Sequence, residues 1–353
     1  MRVQLFALAG LILMMGLPAA SQQGGGISRT PDGRPDLTGV YDANTLTQIE
    51  RPAKYGGREA LTDQEATELL HDQATRDEEA DKPSDPNRKA PKASTGSITG
   101  KSYDDFWKSF GNRVVTVGGE KRSSIVIDPP DGKIPPMTEE GNARDDTHGG
   151  LAGRADVLER RGARPDAFDD PEASANSERC LLGFGWTSGT PILPNYLYNN
   201  LKQIVQTPTE VMIVTEMIHD ARIVRIGGKH PPSSIRKWLG DSVGHWEGDT
   251  LVVETTNFTD KTRFRGSSEN LKVTERFTRL DANTILYRFT LDDPHTWAKP
   301  WTGEYTWAVS SERMFEYACH ENNYALGGIL RGARVAESEA AAAKSEHTKS
   351  EHQ

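Results

Sequence analysis

The chain has little of several features that would identify a function at once. It has two cysteines in 353 residues and contains no CxxC pair, no HExxH motif and no HxH motif, so the sequence predicts no metal site. It also lacks GxSxG, GxxxxGK[ST] and a GxGxxG motif after a strand, which leaves serine-hydrolase, nucleotide and dinucleotide chemistry without support. We therefore predict no cofactor, and either cofactor-independent chemistry or simple binding.

Positive charge and apolar residues are also scarce. The chain carries 42 Lys and Arg against 51 Asp and Glu, a formal charge of -9, and its hydrophobic content is 35%. Because nucleic-acid binders grip phosphates with basic side chains, we predict no nucleic-acid partner. After the N-terminus, no run approaches the roughly 20 apolar residues of a spanning helix, so we predict no membrane insertion.

The N-terminal segment has the pattern of a secretory signal. Arg2 precedes the apolar run 5–17, which ends in the small residues of 18–21. A basic start, a short apolar run and a small-residue cleavage site are typical of a signal peptide. We predict that residues 1–21 are removed and that the mature protein is periplasmic or extracellular.

Export changes the expectation for Cys180 and Cys319, because an oxidising compartment allows a lone pair of cysteines to form a bridge. Such a disulfide would join the middle of the chain to its end. In the chain-entropy model, so long a loop contributes roughly 4 to 5 kcal/mol. The alternative is two separate buried thiols; we favour the disulfide.

The N-terminal region, 22–122, contains a predicted first strand at 37–41 and a helix at 62–75. The helix opens with a capping box, in which the Thr62 hydroxyl and the Glu65 carboxylate bind backbone amides. Residues 76–100 are charged and nearly free of large apolar side chains, so we predict a flexible linker.

The main domain, 123–335, has short β-rich runs at close spacing with turn signals between them. Gly248-Asp249 is a two-residue hairpin signal, and 281–283 is a three-residue one. We predict a mainly β protein, an antiparallel meander that closes into a β-barrel with helical and disordered insertions. A polar insertion is expected at 139–178 and a disordered tail at 336–353. The predicted strands are 123–128, 202–206, 211–217, 221–226, 250–255, 271–279, 284–291, 304–309 and 313–318.

Three phrases carry a family resemblance: residues 128–136 (DPPDGKIPP), 246–254 (WEGDTLVVE) and 317–321 (YACHE). They resemble those of a family of secreted, largely uncharacterised proteins from soil bacteria. This resemblance implies a bacterial exported protein and carries no activity with it. Separately, Gly39-Val40-Tyr41 is similar to the Gly-x-Trp opening of lipocalins, with Tyr in place of Trp, which implies a lipocalin-like barrel.

Glu275 is the first candidate for chemistry. Alternation along residues 271–279 puts Glu275 on the apolar face with Val273 and Phe277. An inward carboxylate is either neutralised by an inward arginine or has its pKa raised, which suits a general acid or base. We weigh the ion pair and the catalytic role as about equal.

The segment 216–222 concentrates more polar side chains. On one strand, Glu216 and Arg222 would share a face and His219 would point the other way; a tight turn at His219-Asp220 would break that parity. We predict that Glu216 and His219 are candidates for proton transfer and that Arg222 is a fork for a substrate carboxylate. The alternative, which we favour for this cluster, is a structural pair between Glu216 and Arg222.

His320 and Glu321 follow Cys319 directly, so the predicted disulfide would fix their position. We predict that they complete an acid/base pair with Glu275 or His219, with Glu321 contacting the substrate. The alternative is a hydrogen-bonded loop pair, which is the more frequent role of such a dipeptide.

Two aromatic residues are candidates for ligand stacking. Trp297 and Trp301 lie beside Pro294 and Pro300, which predicts a loop. The predicted function is an exported lyase, isomerase or hydrolase that acts on a small organic molecule in a barrel pocket. The alternatives are a non-catalytic barrel that binds a small ligand and a carbohydrate-binding or interaction module. The oligomeric state is left open.

Overall fold

A computed structural model describes residues 26–83, 87, 111–145, 170–174, 176–183, 189–194, 198–262, 264–321 and 323–351. The predicted signal peptide, most of the predicted linker and most of the polar insertion lie outside these ranges. Within them, no helix combines the length and the apolar character needed to cross a membrane.

Nine strands form a closed β-barrel, which confirms the predicted fold class. The twelve strands of the described residues are β1 Gly39–Asp42, β2 Thr116–Val117, β3 Glu120–Lys121, β4 Val126–Asp128, β5 Leu201–Gln206, β6 Glu210–Thr215, β7 Ala221–Ile226, β8 Asp241–Glu247, β9 Thr250–Thr256, β10 Lys272–Arg279, β11 Thr284–Asp292 and β12 Trp301–Val309. The sheet runs β1, then β5 to β12 in sequence order, and β1 also pairs with β12 to close the ring. β4 adds to β12, and β2 and β3 form a separate hairpin.

The meander is antiparallel except at one pair. β7 and β8 run parallel, with Val224 opposite Ser242, which corrects the predicted all-antiparallel order at this place. The physical reason is the closure: strand directions cannot alternate around a ring with an odd number of strands, so one neighbouring pair has to be parallel. The connection 227–240 carries the chain from one end of the barrel to the other.

The predicted hairpin turns are confirmed. Gly248 and Asp249 join β8 to β9, and Gly248 has a φ of 58°, which glycine adopts without steric cost. Residues 280–283, which include the predicted turn 281–283, join β10 to β11, and the Leu280 amide donates to the Thr284 carbonyl at 2.9 Å. These turns set the register that places alternate side chains in the barrel.

The barrel interior is rich in aromatic rings. Gly303 leaves room for one of them, since a Cβ there would lie 2.4 Å from Cζ of Phe289. Ile192, in the segment 189–194, is anchored to two of the rings: its amide donates to Tyr287 Oη at 2.9 Å and its carbonyl accepts from Tyr305 Oη at 3.0 Å. This part of the interior is therefore filled by protein. The aromatic residues of the main core are Tyr41, Phe258, Phe264, Phe277, Tyr287, Phe289, Trp297, Trp301, Tyr305 and Trp307.

Tyr41 fixes the first strand to the barrel. Its ring packs beside Gly39, where a Cβ would lie 3.3 Å from the ring, and its hydroxyl donates to the Leu37 carbonyl at 2.8 Å. Arg279 donates to the Tyr41 hydroxyl at 2.6 Å. Burial raises the pKa of Tyr41 to about 12. The Gly-x-Tyr segment thus packs the first strand against the barrel.

The predicted capping box is present at the start of helix α1, Asp63–Ala80. The Glu65 amide donates to Thr62 Oγ1 at 3.2 Å, and the Thr62 amide donates to the Glu65 carboxylate at 2.8 Å. The helix extends to Ala80, so the first residues of the predicted linker 76–100 are helical. Their Glu, Asp and Arg side chains tolerate a helix without a core to pack on.

Two further α-helices follow within the described ranges, α2 Glu139–Asp145 and α3 Tyr324–Glu351. The prediction of a disordered tail at 336–353 is wrong over most of its length, because α3 continues to Glu351. Alanine, glutamate and lysine, which fill 339–344, are strong helix formers and do not require burial to adopt a helix. Residues 336–344 are exposed along this helix.

The predicted disulfide joins Cys180 to Cys319, whose Cα atoms lie 5.7 Å apart. It ties residues 176–183 to the C-terminal strap, which we define as residues 310–321, between β12 and α3. The strand predicted at 313–318 is not formed: this part of the strap is irregular, and the Phe315 amide donates to a Glu216 carboxylate oxygen at 3.0 Å instead of to a neighbouring strand.

Candidate functional site

A buried ion pair crosses the barrel between Arg222 on β7 and Glu275 on β10. Arg222 Nη2 donates to Glu275 Oε1 at 2.8 Å, and Nη1 pairs with Oε2. The side chains are 6% and 0% exposed. Burial acts to lower the pKa of Arg222, and the adjacent Glu275 carboxylate more than offsets it, so that the pKa lies above its ordinary value. The guanidinium stays charged inside the barrel.

Neighbouring hydroxyls complete this network. Tyr287 on β11 donates to Glu275 Oε1 at 2.7 Å, and Thr255 on β9 accepts from Arg222 Nη1 at 3.2 Å. Burial, followed by the Glu275 charge, raises the pKa of Tyr287 well above its ordinary value, which keeps the phenol a donor. Both carboxylate oxygens of Glu275 are engaged, as in the predicted alternative of an inward arginine that neutralises it.

The polar segment after β6 forms a turn and not a continuous strand. A 3-10 turn, Met217–His219, joins β6 to β7, with φ of 63° at Ile218 and 47° at His219. A positive φ at a β-branched residue is strained. The turn interrupts the alternation of side chains between β6 and β7, so Glu216 and Arg222 do not lie on the same face of the sheet. His219 is exposed.

Glu216 instead connects β5 with the C-terminal strap. Its side chain is buried; Oε2 accepts from the Leu201 amide at 3.4 Å and Oε1 accepts from the Phe315 amide at 3.0 Å. The rings of Tyr198 and Tyr317, the latter in the strap, stack with their centroids 6.3 Å apart. Glu216 thus links the strap to the end of the barrel at which β5 begins and β6 ends.

Lys202 lies on the inner face at this same end. In the sheet it is opposite Tyr41 on one side and Thr215 on the other, and its side chain is 0% exposed. Its Nζ has no hydrogen-bond partner among the residues that the structure describes. Burial lowers the pKa of Lys202 to about 8, although Glu216 and Asp42 act in the opposite direction.

The two acidic neighbours of Lys202 have partners of their own. Asp42 pairs with Arg113 at 3.2 Å, and Glu216 is held by the two backbone amides. Neither forms an ion pair with Lys202 in the described part of the chain. Lys202 therefore combines full burial with an amino group that has no hydrogen-bond partner among the described residues.

Lys202 is not among the candidates predicted from the sequence, although the sequence carries one signal for it. Residues 202–206 were predicted as a strand, and their alternation puts Lys202 on the face of Ile204, an apolar residue. A charged side chain on the apolar face of a strand, as at Glu275, indicates an inward-facing charge, and Lys202 shows the same pattern. The strap that binds the neighbouring Glu216 was not predicted from the sequence.

The structure leaves His320 and Glu321 at the surface. Both are exposed in the C-terminal strap, next to the disulfide. Glu275 is fully buried, and its side-chain partners are Arg222 and Tyr287. The predicted acid/base residues are therefore not brought together in one cluster.

Trp297 and Trp301 lie in the core and not at a surface. Trp301 is the first residue of β12, and Trp297 forms an isolated bridge with Met137. Their side chains are 1% and 0% exposed, and the two rings meet edge to face at 5.8 Å. In this position neither ring offers a face to a sugar outside the barrel.

Metal ligands are not clustered in the part of the chain that the structure describes: no three His, Cys, Asp or Glu side chains lie together so as to hold an ion. The prediction of a cofactor-free protein stays a prediction. Comparisons of the chain with protein-family models, with curated proteins and with solved structures found no match.

Proposed function

We propose that the protein acts on a small organic molecule at the end of the barrel that holds Lys202, with Lys202 as the group that transfers protons and no cofactor. One observation carries this proposal: the buried Nζ has no hydrogen-bond partner among the described residues, and its pKa is about 8. A group whose pKa lies near the working pH is suited to general acid/base catalysis.

Lys202 is better suited to this role than Glu275. To accept a proton or bind a ligand, Glu275 would have to give up hydrogen bonds from Arg222 and Tyr287. Removing one partner of a buried ion pair costs about 3 to 5 kcal/mol, because the other charge is left unpaired. To bind a substrate carboxylate, Arg222 would have to release Glu275, and this would cost the same amount. The saturated network therefore favours a structural role for both residues.

A non-catalytic ligand-binding barrel is the second candidate. It is favoured by the surroundings of Lys202, where the carboxylates of Glu216 and Asp42 are held by other groups. No second proton-transfer group lies at hydrogen-bond distance from Lys202 Nζ among the described residues. A buried amine of this kind can bind an acidic or carbonyl ligand as well as it can transfer a proton.

A ligand screen separates these two candidates. Small organic acids and carbonyl compounds are tested for a thermal shift with the wild type, with Lys202→Met and with Lys299→Met, a matched change at an exposed lysine. Compounds that bind are then incubated with each protein in D2O, and deuterium incorporation at their C–H groups is followed by NMR. Exchange that is lost in Lys202→Met alone supports catalysis.

Two other outcomes are informative. Binding that depends on Lys202 without any exchange favours the second candidate. Binding or exchange that is equal in all three proteins contradicts both, because Lys202 then contacts no ligand.

We also propose that the protein is exported. The disulfide supports an oxidising compartment, and the signal-like residues 1–21 support secretion. Expression of the full chain in a Gram-negative bacterium tests this. We expect periplasmic protein whose intact mass lacks residues 1–21 and rises by two protons on reduction; full-length protein confined to the cytoplasm would contradict it. The resemblance to secreted soil-bacterial proteins supports the same proposal.

A further inference from the structure

We propose that Lys202 condenses with the carbonyl group of a small, uncharged aldehyde or ketone and holds it as an imine inside the barrel. This inference rests on the proposed function, because it names the class of molecule that the Lys202 site receives.

The geometry around Lys202 leaves its amino group available. Its Nζ is fully buried and has no hydrogen-bond partner in the described ranges. Two other lysines differ: Lys237, in the connection 227–240, pairs with Asp241 at 2.9 Å, and Lys272 on β10 pairs with Glu254. An ion-paired ammonium has no lone pair to offer, whereas a buried amine without a partner can act as a nucleophile.

Burial also sets the fraction of reactive amine. With a pKa of about 8, roughly a tenth of Lys202 is unprotonated at pH 7. A lysine at the ordinary value of 10.5 is unprotonated about 300-fold less often at that pH. Lys202 therefore carries far more free amine at neutrality than an ordinary lysine.

The surroundings favour an uncharged electrophile. Lys202 shares the inner face with Ile204 and lies opposite Tyr41, so its near neighbours include apolar surface. Two carboxylates, Glu216 and Asp42, already contribute negative charge near the amine. A further anion would be repelled by them and would have to lose its hydration, while a neutral carbonyl compound avoids both costs.

The condensation balances without an oxidant or a reductant. Nζ adds to the carbonyl carbon; a nitrogen–carbon bond forms, one proton leaves nitrogen and one is gained by the carbonyl oxygen, which gives a carbinolamine. The carbon–oxygen bond then breaks, and the second amine proton is lost as water departs. The product is a carbon–nitrogen double bond, and both amine protons have left in the one water molecule.

The C-terminal strap is bonded to a neighbour of Lys202. Glu216, next to Lys202, binds the Phe315 amide of the strap, and the disulfide holds the strap at Cys319. Reduction of the disulfide removes this restraint and leaves the amine in place. We therefore expect faster reaction of Lys202 in the reduced protein.

Reductive trapping tests the inference. The native protein is incubated at pH 7 with benzaldehyde and sodium cyanoborohydride, and the benzyl mass at each lysine is followed by peptide mapping. We expect the initial rate at Lys202 to exceed the rate at exposed Lys299 by about tenfold or more, which allows for slower entry. The fast fraction is absent from Lys202→Met and unchanged in Lys299→Met. A rate at Lys202 no higher than at Lys299, in both the oxidised and the reduced protein, overturns the inference.

The failure of this inference is distinct from the failure of the proposed function. Lys202→Arg keeps a cation and cannot form an imine with benzaldehyde. If no imine is trapped while Lys202-dependent binding or deuterium exchange persists, the proposed function stands and the imine does not. If Lys202-dependent binding is also absent, both fall.

Discussion

Two buried cations in the same barrel have opposite surroundings. Arg222 is matched by the Glu275 carboxylate and by hydroxyl groups, so that its charge is retained. Lys202 is buried to the same degree, but its Nζ has no hydrogen-bond partner among the described residues, and its pKa falls to about 8. Burial alone therefore does not identify a functional group. What distinguishes a functional cation from a structural one is whether it has hydrogen-bond partners. A buried cation paired with a carboxylate stabilises the fold, whereas a buried amine without a partner can bind or react with a ligand.

The largest expected effect comes from breaking the satisfied pair. Arg222→Met leaves Glu275 buried without its cation, and we expect a loss of about 3 to 5 kcal/mol in the free energy of unfolding measured in urea. Arg276→Met removes an exposed pair with Glu247 from the same strand, β10, and should cost less than about 1 kcal/mol. The double variant Arg222→Met/Glu275→Leu should recover most of the loss. Equal losses in the Arg222 and Arg276 variants would contradict the assigned role of the buried pair.

The disulfide affects the two regions differently. Cys180→Ala/Cys319→Ala opens a loop closed across 139 residues, and we expect a loss of about 2 to 5 kcal/mol in urea unfolding, with the chain-entropy value at the upper end of this range. Benzaldehyde labelling of Lys202 should become faster, while the bond from Tyr287 to Glu275, which does not contact the strap, should be kept. The Tyr287 hydroxyl proton can be followed by NMR; its loss in this variant would show that the strap holds the whole barrel and not just the Lys202 end.

Replacing the unsatisfied cation should stabilise the protein. A lysine whose pKa falls from 10.5 to about 8 on folding disfavours the folded state by about 3 kcal/mol at pH 7. Between pH 8 and pH 10.5, Lys202 is protonated in the unfolded chain and largely neutral in the folded protein. The penalty therefore disappears as the pH rises from 8 towards 10.5. We expect Lys202→Met to be more stable than the wild type at pH 7, with a difference that shrinks by about 1.5 kcal/mol between pH 8 and pH 9.5. A difference that does not vary with pH would show that Lys202 keeps its ordinary pKa.

The smallest expected effect tests a single hydroxyl of the satisfied network. Tyr287→Phe removes a donor to Glu275 and an acceptor for the Ile192 amide, and we expect a loss of about 1 to 2 kcal/mol. Tyr324→Phe, at an exposed tyrosine, is the matched control and should leave the unfolding midpoint unchanged. If the two variants behave alike, the hydroxyl of Tyr287 contributes little to the network.

The parts that the sequence predicted correctly are those set by local chemistry. Alternation and turn residues predicted most of the barrel strands, including the turn at Gly248-Asp249, and the Thr62 capping box predicted the start of α1. The parallel pairing of β7 and β8 was missed because closure of the ring, and not a local signal, requires it. The tail at 336–353 was misjudged because its residues form a helix without burying an apolar face.

The candidate site shows the same limit. Alternation placed Glu275 on the inner face, but its partner Arg222 lies 53 residues away in the chain, and a pairing across the barrel has no local signature. The predicted strand at 313–318 concealed the strap, which binds Glu216, a neighbour of Lys202. Residues whose role depends on contacts across the barrel were thus the least predictable.

Direct titration of Lys202 tests the central claim. The protein is labelled with ¹³C at lysine Cε, the Lys202 signal is assigned by its absence from Lys202→Met, and its chemical shift is followed by NMR from pH 6 to pH 11. We predict a midpoint of about 8, as expected for a buried amine whose neighbouring carboxylates are held by other groups. A midpoint of about 10.5 would show that Lys202 is hydrated or ion-paired in solution, and it would contradict the contrast between Lys202 and the Arg222–Glu275 pair.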